Sequence, residues 1–320
     1  PGAVRPEVGM TPTAKEQRFF AVAAAGFVAA AALPAFDDGY WLSMGITIAM
    51  YTVLATSWAL FSGPTRYIAL STAAFFGIGM YTVGIGIATV PYPLLVLAAG
   101  LIGAALGGIV GLATLRVSGV YFVIFTLGLA ELVRQLFTWV QTTMGTSSGL
   151  YVLVDTSERL VYWQLLALAA AVYLAGWAIG RSRLGFALRI IGDDETVASH
   201  SGINTARAKV ALFVVSCTFA AVTGAVLAPR WNYVEPTNAF SAMLSFQVVI
   251  MALLGGAHRL WGPLVGVIPF ALIWDVISAQ APNQSTLLLG VAFLLIVYFI
   301  PNGVIGLIEK QFRRRRAGHG

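Results

Sequence analysis

Five stretches of the chain, Phe19 to Phe36, Tyr40 to Phe61, Leu94 to Leu115, Leu160 to Gly180 and Val210 to Ala228, contain no Asp, Glu, Lys or Arg. A helix rises about 1.5 Å per residue and a bilayer's hydrocarbon core is about 30 Å thick, so about 20 apolar residues make a span. Each run meets that length within a residue or two. None shows the strict alternation of a barrel strand, so all five read as helices. Composition agrees: 58% of residues are apolar and 10% charged, where a soluble domain carries about 25% charged residues. Mean hydropathy is +0.84. These values exclude a soluble two-domain protein and a disordered chain. The single Cys217 rules out an internal disulfide and reads as a small buried hydrophobe.

Five weaker segments complete the pattern. Tyr67 to Thr89 is rich in glycine, Val120 to Val140 carries Glu131 and Arg134, and Phe240 to Leu254 and Leu264 to Ala279 are short. Thr286 to Ile308 is interrupted by Pro301-Asn302-Gly303. The expectation is an all-α integral membrane protein of about ten transmembrane helices, with eight or nine if short segments are re-entrant. Basic residues collect in cytoplasmic loops. With the N-terminus inside, the inner segments hold Arg5, Lys15, Arg18, Arg66, Arg116, Arg181, Arg183, Arg189, Arg207, Lys209, Arg259, Lys310 and Arg313 to Arg316, leaving Arg134, Arg159 and Arg230 outside. That bias predicts both termini in the cytoplasm. The run from Phe19 follows Lys15 and Arg18 without a small-residue cleavage site, so it reads as a first span rather than a signal peptide. The chain then divides into a cytoplasmic segment 1–18, a transmembrane domain 19–308 and a basic tail 309–320. The longest polar loops are an outer one at 141–159 and an inner one at 181–209.

Enzyme patterns are missing from this sequence. His200, His258 and His319 make no ligand pair, and there is neither a Gly-x-Ser-x-Gly elbow nor a phosphate-binding loop of the Walker type. No cofactor is implied. The +6 net charge comes from scattered residues and from the block Arg313 to Arg316, which suits an anionic membrane surface better than nucleic acid. The inner loop is the most informative segment. Asp193 or Asp194 can cap a helix whose first turn holds Glu195 near the positive end of the dipole, and Gly202 can stop it. About two helical turns are unstable alone, so this helix must pack on its own bundle or on a partner.

The stretch Gly185 to Asn204, with Arg189, the acidic run Asp193-Asp194-Glu195, Ala198 and Gly202-Ile203-Asn204, resembles the cytoplasmic coupling loop of LivM-type permease subunits of branched-chain amino acid ABC importers. Three further segments resemble that family in the same order. They are Thr126-Leu127-Gly128 with Glu131, Leu253-Leu254-Gly255-Gly256 with Gly262-Pro263 and Gly266, and Pro301-x-Gly303-x-x-Gly306. The likeness covers about Tyr67 to Leu307. It implies a translocation subunit that pairs with a second related permease, binds two cytoplasmic ATP-hydrolysing subunits and receives substrate from an extracytoplasmic binding protein. It further implies ATPase coupling through Arg189, Asp193, Asp194, Glu195, Ala198 and Gly202. A translocation path would be touched by Thr126, Gly128, Glu131, Gly145, Gly149, Gly255 and Gly256.

The sequence departs from the family at three places. Its outer loop reads Met144-Gly145-Thr146-Ser147-Ser148-Gly149, with Thr146 where a glycine is usual. His258 replaces the third glycine of the Gly-Gly-x-Gly segment, and Gly192 stands where an arginine often precedes the acidic run. The implied cargo is leucine, isoleucine or valine, and the altered outer loop keeps urea, short amides and other small carboxylates open. Glu131 and Arg134 lie three apart, close enough to pair on one helix face. An acid within a span faces the bundle interior or a water-filled path, as a rule. Gly103, Gly107 and Gly111 form a small-residue stripe suited to helix packing, and Asp275 lies near the outer end of its span. An ion-coupled secondary transporter or channel acting without ATPases is the alternative class, with Glu131 or Asp275 as the proton carrier.

Overall fold

The computed structural model describes residues 26–36, 39–114, 117, 119–143, 149–154, 156–193, 195–200, 204–280, 284–299 and 306. Helical turns at 26–31 lead into α1 (Leu33–Phe36), α2 (Tyr40–Thr65), α3 (Thr72–Gly86), α4 (Tyr92–Thr114) and α5 (Val120–Thr143). After the strand β1 (Leu150–Tyr151) come α6 (Glu158–Arg181), α7 (Arg183–Asp193), α8 (Glu195–His200) and α9 (Thr205–Trp231). Then follow β2 (Tyr233–Val234), α10 (Pro236–Ala239), α11 (Ala242–Gly255), α12 (Gly262–Gln280) and α13 (Ser285–Phe299). Among the described residues, seven segments are long and apolar enough to cross a membrane: α2, α4, α5, α6, α9, the α10–α11 unit and α12. The helices α3 and α13 are apolar but shorter. The start of the expected first span, Phe19 to Ala25, lies outside the described residues.

Burial ranks the helices from centre to rim. A helix that is apolar all round belongs inside, whereas one with a distinct polar face belongs at an edge. In α2, 72% of the most apolar window is buried; in α5 the figure is 17%. The second central helix, α9, packs against α3 and α4. Its contact with α4 depends on the glycine stripe. A Cβ on Gly103 would fall 2.6 Å from the Ala221 Cβ, and one on Gly107 would fall 2.8 Å from the Cys217 Cβ. Without side chains at these two positions the helix backbones approach closely and gain dispersion contacts, which lipid-like surroundings do not supply through the hydrophobic effect. Cys217 is buried in this seam as a free thiol.

The chain leaves regular helix between α2 and α3. Arg66 takes the left-handed conformation, φ 58°, its N–H closes on the Ser62 carbonyl, and the backbone stays non-helical through Ser71. Ala69, Leu70 and Ser71 are buried, and buried irregular backbone needs partners for its polar groups. Here two side chains meet the break itself and a third meets the first turn of α3. Trp58 Nε1 donates to the Ala69 carbonyl at 2.8 Å. The Leu70 N–H donates to Thr126 Oγ1 at 3.0 Å, and the Ala73 N–H to Ser245 Oγ at 2.9 Å. An aromatic cluster of Phe61, Tyr67, Phe75, Phe122 and Phe213 fills the space beneath the break. Far from it, β1 pairs antiparallel with β2, Leu150 opposite Val234, and ties the loop before α6 to the one after α9.

Candidate functional site

The described residues of the polar loop at 181–209 hold two short helices instead of one. At the end of α6, Ser182 is extended and its Oγ donates to the Ile179 carbonyl at 2.7 Å, turning the chain. Gly185 follows in a tight place, where a Cβ would fall 2.3 Å from the Ile179 carbonyl oxygen. That close approach explains why this position carries glycine. The helix α7 is amphipathic, with Leu188 and Ile191 buried against the bundle and Phe186 exposed. The expected short helix is α8, which packs on α7 and α9. Ala198 is fully buried and pins it to the bundle, while Val197 on the same helix is 55% exposed. Asp193 is the last residue of α7 and Glu195 the first of α8. Arg189 lies on α7; Asp194 and Gly202 lie outside the described residues. Asn204 Oδ1 then accepts from the Arg207 N–H at 2.9 Å and caps α9.

One turn into α9, Lys209 is 2% exposed. Its ammonium lies 4.2 Å from the centre of the Tyr67 ring and donates to the Tyr67 hydroxyl at 3.1 Å. A buried ammonium needs such compensation, and ring faces attract cations. The contact links the segment after α8 to the break between α2 and α3. Nothing in the sequence marked Lys209, because its partner is 142 positions away.

The helix α5 separates the expected path residues onto two sides. Thr126, with Phe122 and Ala130, faces the core, and its hydroxyl serves the Leu70 amide. Gly128 and Glu131 lie on the open side, where a Cβ on Gly128 would meet nothing within 4 Å. The Glu131 carboxylate accepts from Arg134 through both oxygens, at 2.8 Å from Nε and 2.5 Å from Nη2. Gln135 Nε2 donates to the same carboxylate at 2.9 Å. The Glu131 side chain is 52% exposed, and large apolar side chains of Ile124, Leu132, Leu136 and Trp139 are exposed around it. Gln135, one turn after Glu131, completes the cluster and was readable from the i, i+4 spacing.

The remaining residues of the expected set sit apart. Gly149 packs against β2, where a Cβ would fall 2.6 Å from the Tyr233 ring. Gly255 and Gly256 shape the crossing of α11 and α12: a Cβ on Gly255 would fall 1.8 Å from the Gly262 carbonyl oxygen, and Gly256 has φ 111°. Gly145 lies outside the described residues. Asp275 accepts from the Tyr40 hydroxyl at 2.7 Å in an exposed pair.

Closely crossed apolar helices, side-chain-supported irregular backbone and a short helix held at one end define a multi-pass helical membrane protein. The chain belongs to the family described as branched-chain amino acid transport system, permease component, whose model matches residues 40–299. It is 25% identical to the high-affinity branched-chain amino acid transport system permease protein LivM of Escherichia coli K12, over 93% of this chain and 77% of that one. It is 26% identical to the corresponding permease protein LivH of Salmonella typhimurium, over 53% of this chain and 54% of that one. A ribose import permease protein, RbsC of Haemophilus influenzae, is 23% identical over 64% of this chain and 67% of that one.

Proposed function

We propose that this chain is the translocation subunit of an ATP-driven importer in a prokaryotic inner membrane, moving a branched-chain amino acid or a related small polar solute by alternating access. The observation that carries this reading is the family match across 40–299. A second related permease, two cytoplasmic ATPases and an extracytoplasmic binding protein complete the assembly. Both termini lie in the cytoplasm, as the distribution of Lys and Arg favours. The exposed Val197 on α8 meets the ATPase, and Ala198 passes the push to the bundle. Energy passes only if the ATPase binds the two states of the permease with different affinity.

The open side of α5 supports the pairing. A carboxylate, a guanidinium and an amide half-way along a spanning helix are covered by protein or water rather than lipid. A second permease across that side would place Glu131 beside the substrate path. Branched-chain amino acids are the first choice of cargo, because two of the three relatives described above carry that name. A ribose permease among them accords with a shared frame whose binding protein supplies much of the selectivity.

Co-reconstitution with the cognate subunits tests the reading. Glu195→Arg and Val197→Arg should abolish binding-protein-stimulated ATP turnover while the protein remains folded and monodisperse. Stimulated turnover at the wild-type rate in both variants would overturn the coupling assignment. Gradient-driven uptake by the chain without any ATPase would favour the secondary-transporter alternative.

A further inference from the structure

A cleft of about 390 Å³ opens where α2 ends and the turn after α11 passes. Its lining is part apolar and part polar. Trp58, Ile68 and Leu253 supply apolar surface, and Ile68 is 37% exposed. Ser62, Arg66 and His258 supply the polar groups, and no acidic side chain is among the described lining residues. Ser62 is 6% exposed, and its Oγ has no hydrogen-bond partner among the described residues. A buried hydroxyl left in that state is costly unless a ligand or water meets it. Arg66, in left-handed backbone at the end of α2, and His258, in the turn after α11, both line the cleft.

We propose that this cleft binds the headgroup of an anionic phospholipid of the inner leaflet. The shared chemistry is a phosphate oxygen that accepts from the Ser62 hydroxyl and the Arg66 guanidinium, with His258 as a third donor. Basic pockets between helices on the cytoplasmic side suit such headgroups, and the acyl chains would run past Ile68 and Leu253. The site lies at the same end as α7, because Arg66 and His258 also line the neighbouring cavity with Gly185, Leu188 and Gly192. The inference rests on the inner-face placement proposed above. It is tested on the purified chain without transport, so a failed lipid site and a failed transport assignment are distinguishable.

Native mass spectrometry of the full chain, titrated separately with phosphatidylglycerol, phosphatidylcholine and inorganic phosphate, reads the site directly. Phosphatidylglycerol should be retained, phosphatidylcholine should not, and inorganic phosphate should not compete. Arg66→Asn keeps a residue tolerant of the left-handed backbone and should weaken retention about tenfold or more, the loss expected of one charge-assisted hydrogen bond. Ser62→Ala removes only the hydroxyl and should weaken retention without unfolding the chain. It therefore carries the test even if Arg66→Asn folds poorly. Arg207→Gln removes an equal charge outside the cleft and should retain the lipid. Wild-type retention in Ser62→Ala and Arg66→Asn, or an equal loss in Arg207→Gln, would overturn the site. Equal binding of inorganic phosphate would overturn the lipid as its occupant.

Discussion

Replacing Thr126 by Val tests whether side chains sustain the break between α2 and α3. The two residues are nearly isosteric, so the change removes an oxygen and creates almost no cavity. Thr126 Oγ1 makes two hydrogen bonds, accepting from the Leu70 N–H and donating to the Val123 carbonyl, each at 3.0 Å. The Val123 carbonyl keeps its place within α5, so its loss is minor. The Leu70 N–H has no second acceptor among the described residues, in a position that is 5% exposed. Leaving a buried donor unsatisfied costs about 1–3 kcal/mol. At about 2–4 °C per kcal/mol, the value for chains of 150–250 residues, the melting temperature in detergent should fall by roughly 2–12 °C. Hydrogen exchange at the Leu70 amide should accelerate while exchange in the middle of α9 stays unchanged, and Thr126→Ser should restore both. A variant with unaltered melting temperature and unaltered exchange at Leu70 would refute the account of how this backbone is held.

Three further perturbations address other parts of the bundle. Gly107→Val would push into Cys217 and should destabilise the α4–α9 seam by about 1–3 kcal/mol. By contrast Gly108→Ala, which meets only Val214 at 3.8 Å, should be neutral in the same melting assay. Glu131→Gln should lower uptake by the reconstituted assembly with little loss of thermal stability, since exposed ion pairs contribute about 0–1 kcal/mol; unchanged uptake would reduce Glu131 to a structural role. Lys209→Met should lower the melting temperature by removing the ammonium from the Tyr67 ring and hydroxyl. In that variant, faster exchange at Tyr67 than in α4 would place the damage at the break.

Local patterns carried most of the fold into the sequence. Charge-free length predicts α2, α4 and α6 to within a few residues of their observed ends, and the spacing of Gly103 and Gly107 predicts their packing role. The pairing of Glu131 with Arg134 follows from helical spacing alone. The discrepancies arise where the partner is distant. Hydropathy joins Tyr67 to Thr89 into one segment, but helix begins only at Thr72: Trp58 from α2 and Thr126 from α5 satisfy the backbone before it. For α9, hydropathy begins at Val210 whereas the helix begins at Thr205, since the Asn204 cap and the Tyr67 contact support a polar first turn. The family likeness grouped Thr126 with Glu131, yet five residues along a helix turn the side chains toward different neighbours.

The same break bears on how the protein is made. During synthesis the Leu70 amide waits 56 residues for Thr126, and the Ala73 amide waits 172 residues for Ser245. Until α5 and α11 have been made, the Leu70 and Ala73 amides lack these acceptors and must be met by other groups or water. The hydrogen bonding of the turn and of the first turn of α3 is therefore completed only after the later helices have been made. A chain truncated before Ser245 leaves the Ala73 amide, at the start of α3, without the side chain that meets it.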